Sequence, residues 1–165
     1  MSTHPVSTAE VVALRSLRRS AGQAFVDWAV GMLTDGHDTP GLRVLAGESP
    51  PFQPFAMEAL VDRVLAELGL ALHPTPRAAA RALATARIAQ AVAGRSLRSE
   101  VLAELAQLHT DLGYDTDLGD FYLLHHARTD LLEGHMQWYW DADRDTIDAI
   151  VEERFRAWLQ EQPNA

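Results

Sequence analysis

The sequence predicts an all-α protein, a compact bundle of six to seven helices around an alanine-rich central helix. Three observations carry this prediction. Apolar residues recur at three- and four-residue spacing along most of the chain. Threonine-proline pairs and single glycines fall where helices should start and stop. No stretch alternates apolar and polar residues for long, and no Asn-Gly or Asp-Gly pair lies between β-branched runs.

Leu14, Leu17, Ala21, Phe25, Trp28 and Met32 form one stripe, predicting a first helix over about Thr8 to Thr34, bent near Ser20-Ala21-Gly22. Gly36 stands where a left-handed C-terminal cap belongs. Thr39-Pro40 reads as an N-cap followed by proline at the first helical position, opening a short helix that Gly47 closes. Pro50, Pro51 and Pro54 make the next stretch a loop. A third helix follows over about Phe55 to Leu68 and stops at Gly69. Thr75-Pro76 repeats the start signal for the fourth and central helix, which runs to about Ala93 and Gly94. Its side chains are mostly small, which suits close packing by neighbours. A fifth helix spans about Leu97 to Leu112, and a sixth about Leu118 to Glu133. Met136 to Trp140 is an aromatic connector, after which Asp143 or Asp145 caps a last helix reaching about Gln160. The expectation is one domain over residues 1–165, with 1–7 and 161–165 as frayed tails.

A length of 165 residues matches a single domain able to bury roughly 70% of its unfolded surface, so no metal or disulfide staple is required. The chain has no cysteine, which excludes thiol nucleophiles and Cys-based zinc sites. All 14 basic residues are arginine, beside 26 alanines, a bias that GC-rich coding explains. Met1 to Glu10 has no apolar core of a signal peptide, and Arg81 and Arg87 interrupt the one long alanine-rich stretch. A cytoplasmic location is therefore expected. The net charge of −9 argues against nucleic acid and anionic membrane as partners.

Few residue sets carry chemistry. His126 and Asp130 are four apart, hence on one helix face, and His135 follows the Gly134 turn. With His125 beside them they are the candidate metal ligands, although the zinc-hydrolase pattern His-Glu-x-x-His is missing. The competing reading makes these histidines ordinary surface and core residues. Asp115, Asp117 and Asp120, and then Asp141, Asp143, Asp145 and Asp148, form two acidic clusters. Neither has the glycine and terminal glutamate of a calcium loop, so both read as helix-start carboxylates. His37-Asp38 has no nucleophile to serve, since Ser49, Ser96 and Ser99 sit in no nucleophile-elbow pattern. Arg77, Arg81, Arg87, Arg95 and Arg98 would share a stripe if the fourth helix continued through Gly94, but pairing with neighbouring carboxylates is the preferred reading. Trp138, Tyr139 and Trp140 are three consecutive aromatics that cannot all face one core; they are the candidate partner-binding residues, although an aromatic plug between the last two helices is the preferred reading.

The segment Gly36-His37-Asp38-Thr39-Pro40-Gly41-Leu42-Arg43-Val44-Leu45-Ala46-Gly47 resembles a group of small bacterial all-helical proteins. Those carry a helix ending W-A-x-x-x-L and then G-x-D-S/T-P-x-L-x-x-L-A-G. Trp28, Ala29 and Leu33 match the first part. The resemblance covers roughly the first third of the chain, with a weaker likeness around Trp158-Leu159. It implies the helical fold and carries over no catalytic residue and no function.

Together these observations point to a non-enzymatic interaction module with a basic protein partner and no cofactor, such as an immunity or accessory protein. One alternative is a small metal-binding protein or metal-dependent enzyme using His125, His126, Asp130 and His135. Another is a homodimer joined through the aromatic segment.

Overall fold

A computed structural model describes residues 6–136, 139 and 141–162. Among them are eight α-helices and no strand. The chain divides into two compact units, one ending at Leu83 and the other starting at Ala84.

The first unit holds α1 (Thr8–Ser16), α2 (Gly22–Thr34), α3 (Pro40–Ala46) and α4 (Pro54–Glu67). Helix α1 begins with a capping box: the Glu10 N–H donates to Ser7 Oγ at 3.3 Å, and Glu10 Oε2 accepts the Ser7 N–H at 2.7 Å. Ser7, expected in a frayed tail, is thus a structured cap. The long first helix expected over Thr8 to Thr34 is two helices. Leu17 and Arg19 donate their N–H groups back to Ala13 and Leu14 around a left-handed Arg18, φ 54°, which closes α1. The apolar stripe runs on through the break, so the total exceeds the expected six to seven helices by one. Trp28 Nε1 donates to Thr8 Oγ1 at 3.1 Å, tying α2 to α1. The Arg15 guanidinium forks onto Asp62 of α4 at 2.7 and 2.8 Å.

The short helix α3 packs between α2 and α4. Thr39 Oγ1 takes the Leu42 N–H at 3.3 Å, and Pro40 occupies the first helical position, as the Thr-Pro signal predicts. Leu42 and Leu45 are fully buried. Gly41 lies so close to α4 that a Cβ there would stand 2.6 Å from Glu67 Oε2 and 2.9 Å from Val64 Cγ2. Glu67 accepts the Gly41 N–H at 2.8 Å.

The unit boundary falls within α5 (Pro76–Val92), which buries Ala79, Ala80, Leu83, Ala84, Ile88 and Ala91 and exposes Arg77 and Arg81. The second unit continues with α6 (Arg98–Asp111), α7 (Gly119–Leu132) and α8 (Ile147–Glu161); α7 packs on both α6 and α8. Its core includes Leu102, Leu105, Leu108 and Leu124, with the Phe121 ring edge-on to Phe155 and Trp158 at 5.5 Å each. Trp158 Nε1 donates to Thr85 Oγ1 at 3.0 Å. Glu161, also expected in a tail, completes the last turn of α8. No described helix is long and apolar enough to cross a membrane.

Candidate functional site

The predicted metal set does not assemble. Side chains on a helix lean toward its N-terminus. His126 accordingly meets Tyr122, four residues earlier, at a ring separation of 4.5 Å, while Asp130 stands on the turn beyond. Gly134, φ 82°, closes α7, and the His135 N–H turns back to the Asp130 carbonyl at 2.8 Å. The His135 ring then lies 3.6 Å from Glu133. Among the described residues no group of three or more His, Asp or Glu could hold a metal ion. His126, Asp130 and His135 thus have separate surroundings in the described structure. His125 is half-buried, and burial, reinforced by the charges of His126 and Arg128, pushes its imidazole below the usual range.

Of the aromatic connector, Trp138 and Trp140 lie outside the described residues. Tyr139 is buried, and its hydroxyl donates to Asp120 Oδ1 at 2.6 Å. Arg154 Nε donates to the other oxygen of Asp120 at 2.6 Å. Asp120, Tyr139, Ile150, Glu153 and Arg154 line an open cavity of about 530 Å³. A second cavity, about 360 Å³, lies at the start of α6 beside Ser96, Ser99, Arg98 and Arg128. Both arginines there are ion-paired, Arg98 with Glu152 at 2.9 Å and Arg128 with Asp148 at 2.6 Å.

The segment from Gly36 to Gly47 is accounted for by architecture. Gly36 takes φ 92° at the end of α2, Thr39 caps α3, Gly41 permits the approach to α4, and Leu42 and Leu45 fill the core. Asp38 faces Arg43 rather than His37. The guanidinium donates to both its oxygens at 2.6 Å and holds the carboxyl below the usual range. The arginine stripe is interrupted: α5 ends at Val92, Gly94 takes φ 72°, and Arg87 pairs with Glu104 at 3.3 Å.

The carboxylate cap expected at α8 is replaced by a turn: Thr146 stands at the N-cap with no side-chain cap bond, and Asp143 closes the turn that leads into the helix. Asp143 Oδ1 accepts the N–H groups of Asp145 and Thr146 and the Thr146 hydroxyl, each at 2.9 Å, and the Thr146 bonds hold its carboxyl low. At the start of α7 the hydroxyl of Thr116, rather than a carboxylate, takes the Leu118 N–H at 3.1 Å. Thr116 Oγ1 also lies 2.6 Å from Nδ1 of the buried His109.

His109 opens a feature that the sequence pattern does not reveal. Its ring stands 5.3 Å from Tyr114 and 5.6 Å from Tyr122; those two phenols are edge-to-face at 5.7 Å, and Tyr122 leads on to His126 and His125. Charge repulsion from Tyr114, together with burial, pushes the Tyr122 phenol above its usual range. Tyr114 is 57% exposed, although its backbone is left-handed at φ 65°. A glycine would have advertised that turn; a tyrosine does not.

Charge is also unevenly distributed. The unit ending at Leu83 has eight acidic residues against seven arginines, whereas the unit from Ala84 has 15 against seven. The formal charges are thus −1 and −8. Within residues 111–148 ten carboxylates face two arginines, and no arginine occurs between Arg98 and Arg128.

Comparison with family models, with characterised proteins and with solved structures finds no match.

Proposed function

We propose that the chain is a cytoplasmic, non-enzymatic interaction module, of the immunity or accessory type, that binds a basic protein through its C-terminal unit. The observation that carries this reading is the charge division, −1 against −8, across two units of nearly equal length. A negative field concentrated on one unit steers basic partners into encounter and rejects acidic ones. The exposed Tyr114 and Leu123 on the same unit supply apolar contact within that field.

The test compares the full chain with two variants in a pull-down from the native host, followed by titration of whatever protein is retained. In one variant Asp111, Asp115, Asp141 and Asp145 become Asn; in the other Asp27 and Asp35 of the first unit do. The expected result is a single basic protein held by the parent chain and by the first-unit variant but lost from the other, with affinity falling as salt rises. Equal retention by both variants, or salt-independent binding, would overturn the reading.

A further inference from the structure

We infer that the row of rings formed by Tyr114, Tyr122 and His126 is the seat for an arginine side chain of the basic partner. This rests on the reading of the C-terminal unit as the binding unit, and it names the contact within it.

Three observations support the seat. Tyr122 and His126 are four apart on α7 and therefore share a face, and Tyr114, leaving the end of α6, sets its ring edge-to-face against Tyr122 at 5.7 Å. The rings thus form one continuous row from 114 to 126, separated by 5.7 and 4.5 Å. Second, the Tyr114 ring is presented to water at a steric cost. Its N–H donates to the His109 carbonyl at 2.9 Å, which fixes the left-handed turn, and φ is 65°, a conformation that crowds any residue with a Cβ. The ring rests edge-on against the buried His109 and against Tyr122 and leaves the rest of its surface, 57% of the residue, open to water. Third, the ligand class follows from charge. Asp111, Asp115 and Asp117 lie within three residues of Tyr114, and no arginine lies in sequence between Arg98 and Arg128. A guanidinium is planar, weakly hydrated and stacks on aromatic faces while its edge donates to carboxylates, which an ammonium does less well. Arginine is therefore the cation that uses both the rings and the acids.

The probes are a nona-arginine and a nona-lysine peptide, titrated calorimetrically into the full chain at low and at physiological salt. The key variant is Tyr114→Gly, which removes the ring and suits the positive φ, so the fold is retained; circular dichroism checks this. The parent chain should bind the arginine peptide more tightly than the lysine peptide. Tyr114→Gly should weaken the arginine peptide about three- to tenfold and the lysine peptide less. His126→Ala should weaken the arginine peptide less. If Tyr114→Gly binds both peptides as the parent does, the ring seat is refuted while the acidic unit stands as the binding unit. If neither peptide binds at low salt, both the seat and the basic-partner reading fall.

Discussion

The same substitution made at two glycines of the first unit should change stability in opposite directions. Gly31 lies inside α2, and a Cβ built on it meets nothing within 4 Å. Replacing glycine with alanine in a helix interior removes backbone freedom from the unfolded chain and gains about 0.5–1 kcal/mol. Gly41 lies in the first turn of α3, where the new methyl would stand 2.9 Å from Val64 Cγ2 and 2.6 Å from Glu67 Oε2. The Glu67 carboxylate can swing aside, but doing so gives up the Gly41 N–H it accepts at 2.8 Å. Val64 is fully buried and has nowhere to go. Overpacking of this kind costs about 1–3 kcal/mol, and helix propensity returns less than about 1, leaving a net loss of about 1–2 kcal/mol. Urea denaturation of Gly31→Ala, Gly41→Ala and the parent chain measures both values. Midpoints should move apart with the slope unchanged, since neither variant alters the surface exposed on unfolding. A neutral or stabilising Gly41→Ala would show that Glu67 and Val64 yield freely, and that the close approach of α3 to α4 is not what requires glycine in the motif.

Other expectations follow from the same coordinates. Phe155→Ala should lose about 3–5 kcal/mol because the ring is fully buried against Phe121, whereas Phe55→Ala, at 87% exposed, should stay within about 0.5 kcal/mol; paired denaturation curves decide. A double-mutant cycle on Arg15 and Asp62 should give a coupling of about 0.5–1 kcal/mol, modest because Asp62 is open to water; a coupling near zero would mean that the bidentate geometry does not persist in solution. For His125 the folded imidazole titrates below the unfolded value of about 6.5, so the unfolded chain binds more protons as pH falls through that value. The stability contributed by the neutral form is present above about 6.5 and is lost as pH falls toward the lower, folded-state value. His125→Gln should flatten the stability profile between pH 7 and 5, and an unchanged profile would count against a buried, neutral His125.

Helix stops marked by glycine were legible in the sequence: Gly36, Gly69, Gly94, Gly113 and Gly134 all take positive φ, from 64° to 92°. Two failures share one cause, because Arg18 and Tyr114 adopt the same left-handed turn without being glycine. The first hid the split between α1 and α2, and the second hid an exposed ring. A residue with a Cβ in that conformation is held by its surroundings, in both cases by the hydrogen bonds that close a helix, and composition does not record them. The placement of the candidate metal ligands was hidden for a related reason. Spacing put His126 and Asp130 on one face but could not say that His126 leans back onto Tyr122. The ring row depends on Tyr114 meeting α7, a tertiary contact with no sequence period. The charge division was invisible while −9 was one number, since it needs the unit boundary at Leu83.

Capping and binding need not compete for the same carboxylates. A carboxylate that accepts from a neutral donor keeps its full charge: Asp111 accepts from the Gln107 amide at 2.6 Å, and Asp143 accepts from backbone N–H groups and the Thr146 hydroxyl. At Asp143 such bonds favour the ionised form and so maintain its charge down to lower pH. Only pairing with arginine cancels it, as at Asp120 with Arg154, Asp148 with Arg128, Glu104 with Arg87, and Glu152 with Arg98 and Arg156. With 15 carboxylates and seven arginines in the second unit, even complete pairing leaves eight negative charges. The field available to a partner is therefore set by that mismatch and by screening over a Debye length of about 8 Å at physiological salt. In the proposed reading, direction is then left to the apolar contacts, and in the stretch between Arg98 and Arg128, which has no arginine, the exposed ring of Tyr114 is the one proposed to meet a guanidinium.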